Sequence, residues 1–309
     1  MRCLVTGAGG FIGAGLVQSL LAQGNQVWAL DLALSLPGKP GLTLLPGTLT
    51  DATLLDRAFA TRPQAVFHLA SVTGGRAEVD PGLNRAVNLD ATFKMMHRAA
   101  ALPGTPVFVF ASSNAVYGTA LPNHVTDATP PAPASSYGAA KLMAEVLLAD
   151  LTRRGQVCGM SLRLPGVVAR PAQRTGAVSI FLSDLIRDLA QGLPVTCPVS
   201  PGATVWLTSH SRAVAHLVWA AGVAGPLALA PGLMLPALQA SIADLIRAIS
   251  DRAGRDMLPL VTFSPDPDTE ALFGRYPPVT AARALAAGFA PAETMADLLA
   301  ACRPMDRLP

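Results

Sequence analysis

The chain has 309 residues, of which 51% are hydrophobic and 14% are charged, and its formal net charge at pH 7 is +3. This length allows a large core, built as one big domain or as a domain with a cap. The small charge, without any block of Lys and Arg, excludes the electrostatic footprint of a nucleic-acid-binding protein. The four cysteines are dispersed and show no metal-binding spacing, which indicates a reducing cytoplasm and predicts no metal site.

Two apolar stretches bear on export and membranes. The N-terminal MRCLVTGAGGFIG leads quickly into glycines rather than into the long apolar core of a signal peptide, so we expect no targeting segment. Residues 213–243 carry no Asp, Glu, Lys or Arg, but Gly and Pro interrupt them, and a spanning helix needs about 20 uninterrupted apolar residues. We expect a buried helix, loop and strand there, and no membrane contact.

Strand and helix patterns alternate along the first half of the chain. Apolar runs predict strands at RCLVTG, QVWALD, LTLLPG, AVFHLAS, VFVFASS and GMSLRLPGVV. Helical patterns follow at 11–22, at 84–102 and at 137–154. A further helical pattern begins after residue 50 or 51, where Thr50 or Asp51 is the expected N-cap. Continuous apolar strands that alternate with helices predict an α/β fold, a Rossmann doubly wound parallel sheet covered on both faces.

One loop and the last part of the chain depart from this alternation. Residues 118–136 are rich in proline and poor in hydrophobic residues, which indicates a binding loop or a disordered segment. After residue 166 the pattern loosens. We therefore expect a domain over 1–165 and, over 166–309, a smaller region that mainly binds substrate, with some elements returning to the sheet.

The first strand is followed by a glycine loop, in which Gly7, Gly10 and Gly13 recur at three-residue spacing. Gly7 allows a tight turn, Gly10 lets the backbone approach a pyrophosphate, and Gly13 lets helix and strand pack closely. The N-terminus of the next helix supplies amides and a positive dipole. Alone, such a loop is also compatible with a glycine-rich turn that binds nothing.

The second strand ends at Asp31, which makes the glycine loop a strong dinucleotide-binding signal. A carboxylate at this place accepts both ribose hydroxyls of NAD and repels a 2′-phosphate, and no arginine follows to neutralise it. We therefore expect the cofactor to be NAD rather than NADP.

Tyr137 and Lys141 lie four residues apart in a chain with only three tyrosines and three lysines. On a helix this spacing stacks both side chains on one face. A tyrosine has a pKa of about 10, and an ammonium group nearby lowers it by about two to three units. Tyr137 then becomes a base for a substrate hydroxyl. The alternative is an exposed lysine that packs along the tyrosine ring.

A strand that ends in Ser112 and Ser113 places hydroxyls at the carboxyl edge of a parallel sheet, where open α/β folds bind ligands. Such a hydroxyl can hold the substrate oxygen beside Tyr137. A simple strand-end turn is the alternative.

Together the glycine loop, Asp31, the serines and the Tyr–Lys pair resemble the extended short-chain dehydrogenase/reductase superfamily, also called the NAD-dependent epimerase/dehydratase superfamily. The resemblance covers nearly the whole chain. It implies that Ser113, four residues before the tyrosine of VYG, is catalytic with Tyr137 and Lys141. VNLDAT resembles a family motif in which Ala91 replaces a glycine, and Thr48 stands where the family usually has an aspartate.

The resemblance also implies two sets of binding residues. The expected NAD contacts, in addition to Tyr137 and Lys141, are Gly7, Gly10, Phe11, Ile12, Gly13, Asp31, Leu49, Leu69, Ala70, Ser71, Asn88, Pro165 and Val167. The expected substrate contacts are Thr73, Ser113, Asn114, Tyr137, Arg170 and Arg174. A guanidinium suits a carboxylate, although either arginine is equally compatible with a solvated surface position, and core packing is the alternative for the further candidates Trp206 and His210.

The segments SSYGAAKLMAEVLLADLTRRG, LRLPGVVARP and SIFLSDLIRDLAQG resemble the D-erythronate dehydrogenase branch. This implies an NAD-dependent oxidoreductase that oxidises a secondary hydroxyl of a small sugar acid. A nucleotide-sugar (UDP-hexose) 4-epimerase with tightly bound NAD is the first alternative, although GATVWLTSHSRAVAHLV lacks the arginine and aspartate usual there. A non-catalytic NAD-binding regulator is the second.

The resemblance further implies a homodimer. The helices at 84–102 and 137–154 carry apolar positions, namely Met95, Leu142, Val146 and Leu147, and the corresponding pair often forms the interface in this superfamily. Some of these residues must face the chain's own sheet.

Overall fold

The computed structural model describes residues 1–170, 180–224 and 231–302, and their contacts divide into two units. The first unit combines the ranges Met1–Val116, Pro133–Leu164 and Val214–Met234. The second combines Tyr117–Ala132, Pro165–Ala213 and the chain from Leu235 onward.

The strands, numbered along the chain, are β1 Arg2–Thr6, β2 Gln26–Asp31, β3 Leu42–Pro46, β4 Ala65–His68, β5 Val107–Ser113, β6 Val125–Thr126, β7 Cys158–Leu164, β8 Gly166–Val168, β9 Val195–Cys197, β10 Thr204–Ser209, β11 Leu233–Met234, β12 Leu238–Ser241, β13 Val261–Phe263 and β14 Val279–Thr280. The α-helices are α1 Phe11–Ala22, α2 Ala52–Ala60, α3 Gly74–Val79, α4 Pro81–Asn84, α5 Thr92–Ala100, α6 Ser136–Arg153, α7 Phe181–Ala190, α8 His210–Val223, α9 Ile242–Ala253, α10 Pro267–Phe273, α11 Ala282–Ala286 and α12 Met295–Ala301.

The first unit is built on a seven-stranded sheet in the order β11-β7-β5-β4-β1-β2-β3, with every neighbouring pair parallel. This confirms the predicted Rossmann fold. The strand order reverses between β1 and β4, and ligands of open α/β sheets bind at the carboxyl ends of the strands at such a switch point. The register pairs Thr6 with His68 there.

The central strands are apolar throughout because helices cover both faces of the sheet. Every residue of β4 is buried, and α1 turns Leu16, Val17 and Leu20 inward. Asp51 begins α2, as expected, and its side chain accepts hydrogen bonds from Thr53 N and Leu54 N.

Three elements differ from the prediction. In place of the single helix expected over 84–102, the structure has three consecutive elements: the end of α4, a π-helical segment at Arg85–Ala91, and α5. The single strand GMSLRLPGVV is divided into β7 and β8, which belong to different sheets. Pro165 separates the two because it has no N–H to continue a ladder. The loop 118–136 is not wholly irregular, since β6 pairs with β14.

The second unit holds a three-stranded sheet in the order β12-β10-β8 and the strand pairs β13-β9 and β14-β6. Its core brings together the apolar faces of α7, α9 and α12 with residues of β10. The apolar stretch 213–243 contains most of α8 and the strands β11 and β12. Within the described ranges, no helix is long and apolar enough to cross a membrane.

Candidate active site

The turn from β1 into α1 forms a cradle without side chains. Gly7 has a φ of +69°, and a Cβ at this position would lie 2.6 Å from the backbone N of Ala70, on the loop after β4. A Cβ on Gly13 would lie 1.9 Å from Gly7 O. The two glycines therefore let the turn, the loop and α1 approach one another more closely than any side chain permits.

The N-terminus of α1 is suited to a diphosphate. Gly10 is the N-cap, no side chain caps the helix, and its first turn contains no acidic residue. Phe11 and Ile12 begin this turn and are half-buried. Backbone amides and the positive end of the helix dipole are the groups that bind the pyrophosphate of a dinucleotide, so the cradle fits NAD.

Asp31, at the end of β2, is bound to the glycine loop. Its Oδ2 accepts a hydrogen bond from Gly9 N at 2.9 Å, and its Oδ1 accepts one from Leu32 N at 2.7 Å. Each carboxylate oxygen has a second acceptor position, so Asp31 can also receive ribose hydroxyls. Thr48, at the place of the usual family aspartate, instead accepts a hydrogen bond from Thr50 N.

A buried polar chain crosses the switch point of the sheet through His68. The Thr92 hydroxyl donates to Val87 O, so His68 Nε2 must donate to Thr92 Oγ1, and Nδ1 then accepts from Thr6 Oγ1 at 2.6 Å. Burial, with a smaller effect of the Lys141 charge, lowers the pKa of His68 to about 3. The imidazole therefore stays neutral near neutral pH.

This chain also reaches the loop after β4. Thr6 Oγ1 accepts a hydrogen bond from Ala70 N, and Leu69 N donates to Thr6 O. Leu69 and Ala70, two of the predicted NAD contacts, are therefore held directly against the cradle at Gly7.

Asn88, on the π-helical segment, uses its amide group within the protein. Its Oδ1 accepts from Val72 N, and its Nδ2 donates to Val72 O and to Asn84 Oδ1. Asn84 in turn donates to Ser136 O, next to Tyr137. The two amides thus connect the loop after β4 to the start of α6.

Tyr137 and Lys141 lie on the first turns of α6, whose N-cap is Ser135. Lys141 is 3% exposed, and its Nζ donates to Ala111 O at 2.8 Å. The same nitrogen lies 5.6 Å from the centre of the Tyr137 ring and 4.6 Å from that of Phe110. The Tyr–Lys pair is therefore not a surface lysine resting on a tyrosine.

Burial lowers the pKa of Lys141 to about 7, and the Glu145 carboxylate opposes that fall. In a low-dielectric environment, a charged ammonium beside the Tyr137 ring favours the phenolate over the phenol.

The structure distinguishes the two serines at the end of β5. Ser112 is buried and donates to Glu145 Oε1 at 2.5 Å. Ser113 is half-buried; its Oγ accepts from Ala115 N at 3.1 Å and donates to Asn114 Oδ1 at 3.3 Å. The start of α6 lies close by, since a Cβ on Gly138 would be 2.4 Å from Ala115 O. Of the two hydroxyls, that of Ser113 is the less buried and donates the longer hydrogen bond, which a substrate oxygen can replace.

Glu145 continues the spacing of Tyr137 and Lys141 by four residues and is fully buried. Its carboxylate forms an ion pair with Arg163 on β7 at 2.8 Å, and Arg163 also donates to Pro231 O. Ser112 and Arg163 are register partners, so both side chains leave the sheet on the same face and reach Glu145 together.

The remaining predicted residues fall into three groups. Ser71, Thr73 and Asn114 belong to the first unit and follow β4 or β5, whereas Leu49, also in this unit, packs in its core. Pro165, Val167 and Arg170 belong to the second unit. Arg174 lies outside the described residues.

Trp206 resolves into core packing. It is 1% exposed, stacks on Tyr276 at 4.7 Å between ring centres and donates to Pro277 O. In the described part of the chain, no group of three or more His, Cys, Asp or Glu side chains is arranged to hold a metal ion.

Sequence reasoning missed His68, Asn84 and Glu145. A repeat of the four-residue spacing points to Glu145 after Lys141 and to Asn84 before Asn88. His68 is a lone polar residue in an apolar strand, and only the strand register shows its partner Thr6.

We expect Gly13→Ala to weaken NADH binding at least about tenfold and to lower the melting temperature, because an overpacked methyl group costs about 1–3 kcal/mol. Fluorescence titration with NADH and thermal unfolding measure both effects. Gly222→Ala on α8, where a Cβ meets nothing within 4 Å, is the matched control. Unchanged NADH affinity in the Gly13 variant would contradict the close packing of the cradle.

The parallel sheet, the glycine cradle and the Tyr–Lys pair define an NAD-dependent dehydrogenase of the short-chain dehydrogenase/reductase type. Residues 3–222 match the NAD dependent epimerase/dehydratase family, and the chain belongs to that family.

Two relatives share most of the chain's length. It is 38% identical to D-erythronate dehydrogenase of Cupriavidus necator and 31% identical to D-erythronate dehydrogenase of Haemophilus influenzae, each match covering 94% of both chains. Among solved structures, it is similar to a nucleoside-diphosphate-sugar epimerase from Agrobacterium tumefaciens with a TM-score of 0.88 and 27% identity, over 97% of this chain and 92% of that one. The expected family, fold and cofactor are confirmed.

Proposed function

We propose that this protein oxidises a secondary hydroxyl of a small sugar acid, D-erythronate or a close analogue, with NAD as the hydride acceptor. The observation that carries the proposal is the buried Lys141 beside Tyr137 at the carboxyl end of β5. The similarity to two D-erythronate dehydrogenases over nearly the full chain supports the substrate class.

Tyr137 is the base in this proposal. It removes the proton from the substrate hydroxyl while hydride leaves the same carbon, and the Lys141 ammonium stabilises the phenolate that makes this possible. Ser113 turns its hydroxyl hydrogen from Asn114 Oδ1 to the substrate oxygen and so orients that oxygen toward Tyr137.

NAD supplies the hydride acceptor when it is bound. The amides at the start of α1 would bind its diphosphate, Asp31 would accept its ribose hydroxyls, and Lys141 would also hold the nicotinamide ribose. On the loop after β4, Leu69, Ala70 and Ser71 would contact the cofactor. His68 and Asn88 bind this loop through Thr6 and Val72, so we assign Asn88 to positioning the loop.

The carboxylate of the acid needs a cationic or hydrogen-bonding partner. Thr73 and Asn114 follow β4 and β5 and are proposed for the hydroxyl end of the substrate. Arg170 and Arg174 follow β8 and are proposed for the carboxylate, which a guanidinium binds through two parallel hydrogen bonds.

We propose that the protein acts in the cytoplasm. We also propose that two copies of the chain form a homodimer. On α6, Met143 is 45% exposed and Val146 is 53% exposed, whereas Met95 on α5 is buried in the core of its own unit. The exposed pair supports an apolar contact along α6. Sedimentation of wild-type protein and of Val146→Glu tests this contact.

Asp31→Ser is expected to reduce the preference for NAD over NADP at least about tenfold, because the variant no longer repels a 2′-phosphate. The ratio of kcat/KM values for the two cofactors measures the preference. Asp56→Ser, an exposed aspartate on α2, controls for the lost charge. An unchanged ratio would contradict the role of Asp31.

The proposal is tested by NADH formation with a panel of four- to six-carbon sugar acids and with UDP-sugars. NAD reduction with D-erythronate or a near relative supports it. Interconversion of UDP-sugars without net NADH would instead indicate the epimerase to which the similarity with the Agrobacterium tumefaciens structure points. No turnover, with NAD-dependent partner binding, would indicate a regulator.

A further inference from the structure

The charge of Lys141 is the weak point of the proposed mechanism. Its side chain is 3% exposed, and its Nζ donates to a neutral acceptor, the carbonyl oxygen of Ala111. Burial lowers its pKa to about 7 even though the Glu145 carboxylate opposes that fall, so an ammonium at this place is close to losing its proton near neutral pH. A neutral lysine cannot favour the Tyr137 phenolate, and the base would then be lost.

Three successive residues of β5 each contact a different group of the site. Ala111 O binds Lys141, the Ser112 hydroxyl binds Glu145, and Ser113 is the proposed substrate contact. Glu145 is 0% exposed and lies one helical turn beyond Lys141. The strand therefore holds the ammonium and the carboxylate in the same buried part of the sheet face that meets α6.

The charged and titratable groups around Lys141 and its neighbour Glu145 come from three elements. On α6 they are Tyr137 and Glu145, on β4 His68, and on β7 Arg163. His68 is neutral, and Arg163 pairs with Glu145 and would otherwise oppose a second cation. Glu145 is thus the anion in this group that favours a charged Lys141.

We propose that Glu145, held by Arg163 and Ser112, is a positioning residue that keeps the Lys141 ammonium charged beside Tyr137. The inference rests on the proposed function, because it concerns the base of that reaction. Glu145 acts through Lys141 and does not touch the substrate.

Glu145→Gln removes the charge and retains the shape. Lys141 then loses its proton at lower pH, and the unpaired Arg163 reinforces this loss. The titration of Tyr137 moves to higher pH by about one unit or more. The direct effect of Glu145 on Tyr137 is opposite but smaller, since they are two turns apart, about 12 Å along the helix.

Two measurements decide the proposal. The pH profile of kcat/KM for sugar-acid oxidation should shift to higher pH in Glu145→Gln, with the rate recovered in alkaline solution. Ultraviolet difference titration of tyrosinate in the protein without substrate, with Tyr137→Phe subtracted, should show the same shift.

Three further variants separate charge from shape and folding. Glu145→Asp keeps the charge and should keep the wild-type profile. Glu293→Gln makes the same change at another buried carboxylate that binds serine, and should also keep it. If Glu145→Gln fails to fold, the double variant with Arg163→Gln removes both charges and should retain part of the shift.

An unshifted tyrosinate titration in Glu145→Gln, or in the double variant, overturns the inference. If wild-type protein oxidises no sugar acid, the proposed function fails, and the tyrosinate titration still decides whether Glu145 sets the state of this pair.

Discussion

Tyr137→Phe is expected to lower kcat for sugar-acid oxidation by about 10²- to 10⁴-fold, the range that general acid–base catalysis contributes. The variant keeps the ring beside Lys141 and removes only the hydroxyl that accepts the substrate proton. NADH binding should change little, since the cradle at Gly7 and the Asp31 carboxylate are untouched. Steady-state rates and NADH titration on the same preparation measure both.

Tyr276→Phe is the matched control for this variant. Tyr276 is a buried tyrosine of the second unit, and it stacks on Trp206. It should retain the wild-type rate. A near-normal rate in Tyr137→Phe would remove Tyr137 as the base, and loss of NADH binding in that variant would show that the hydroxyl serves the cofactor instead.

The local parts of the site were predictable because short motifs encode them. Gly7, Gly10 and Gly13 lie close together in the chain, in the loop after β1 and the start of α1. The four-residue spacing of Tyr137 and Lys141 places both on one face of any helix. The ends of β1, β2 and β5 were also readable, since each apolar run stops where a functional residue follows. The order of those strands in a Rossmann sheet then brings the motifs to one edge.

The buried polar layer, formed by Thr6, His68, Ser112 and Arg163, was not predictable in the same way, because its contacts depend on strand register. Thr6 meets His68, and Ser112 meets Arg163, only when neighbouring parallel strands are aligned residue by residue. Nothing in a single sequence specifies that alignment. The division of β7 from β8 was missed for a simpler reason, since the apolar run continues through Pro165 although the ladder cannot.

The polar layer also explains why the two serines of β5 have different surroundings. Alternate residues of a strand face opposite sides of the sheet. Phe110 and Ser112 face α6, where they meet Lys141 and Glu145. Ser113 is the next residue and ends the strand. The family resemblance pointed to Ser113, and the contacts of Ser112 give a physical reason for that assignment.

Lys141→Met is expected to abolish most of the activity. It is also expected to raise the free energy of unfolding relative to the wild type, and this advantage should be larger near neutral pH than in alkaline solution. Burial lowers the pKa of Lys141 in the folded protein to about 7, from the ordinary lysine value of 10.5. Between these two values the unfolded chain binds the proton and the folded chain does not. The free energy of unfolding of the wild type therefore rises with pH in this window.

The variant has no titrating group at this position, so the difference between the two proteins isolates the effect of Lys141 on the free energy of unfolding. The wild type should gain about 2 kcal/mol relative to Lys141→Met between pH 7 and pH 9, because each pH unit inside the window adds up to about 1.4 kcal/mol. Urea unfolding of both proteins at a series of pH values measures the difference. Lys94→Met removes an exposed lysine on α5 and serves as the control.

Parallel stability curves for the wild type and Lys141→Met would show that the ammonium is not penalised by its surroundings, and Glu145 would then have nothing to oppose. Curves that diverge as expected would mean that, at about pH 7 and below, the folded protein gives up stability to carry a charge beside Tyr137. Such a cost is typical of groups retained for catalysis rather than for folding. The same lysine would then account for both the pH dependence of stability and the activation of the base.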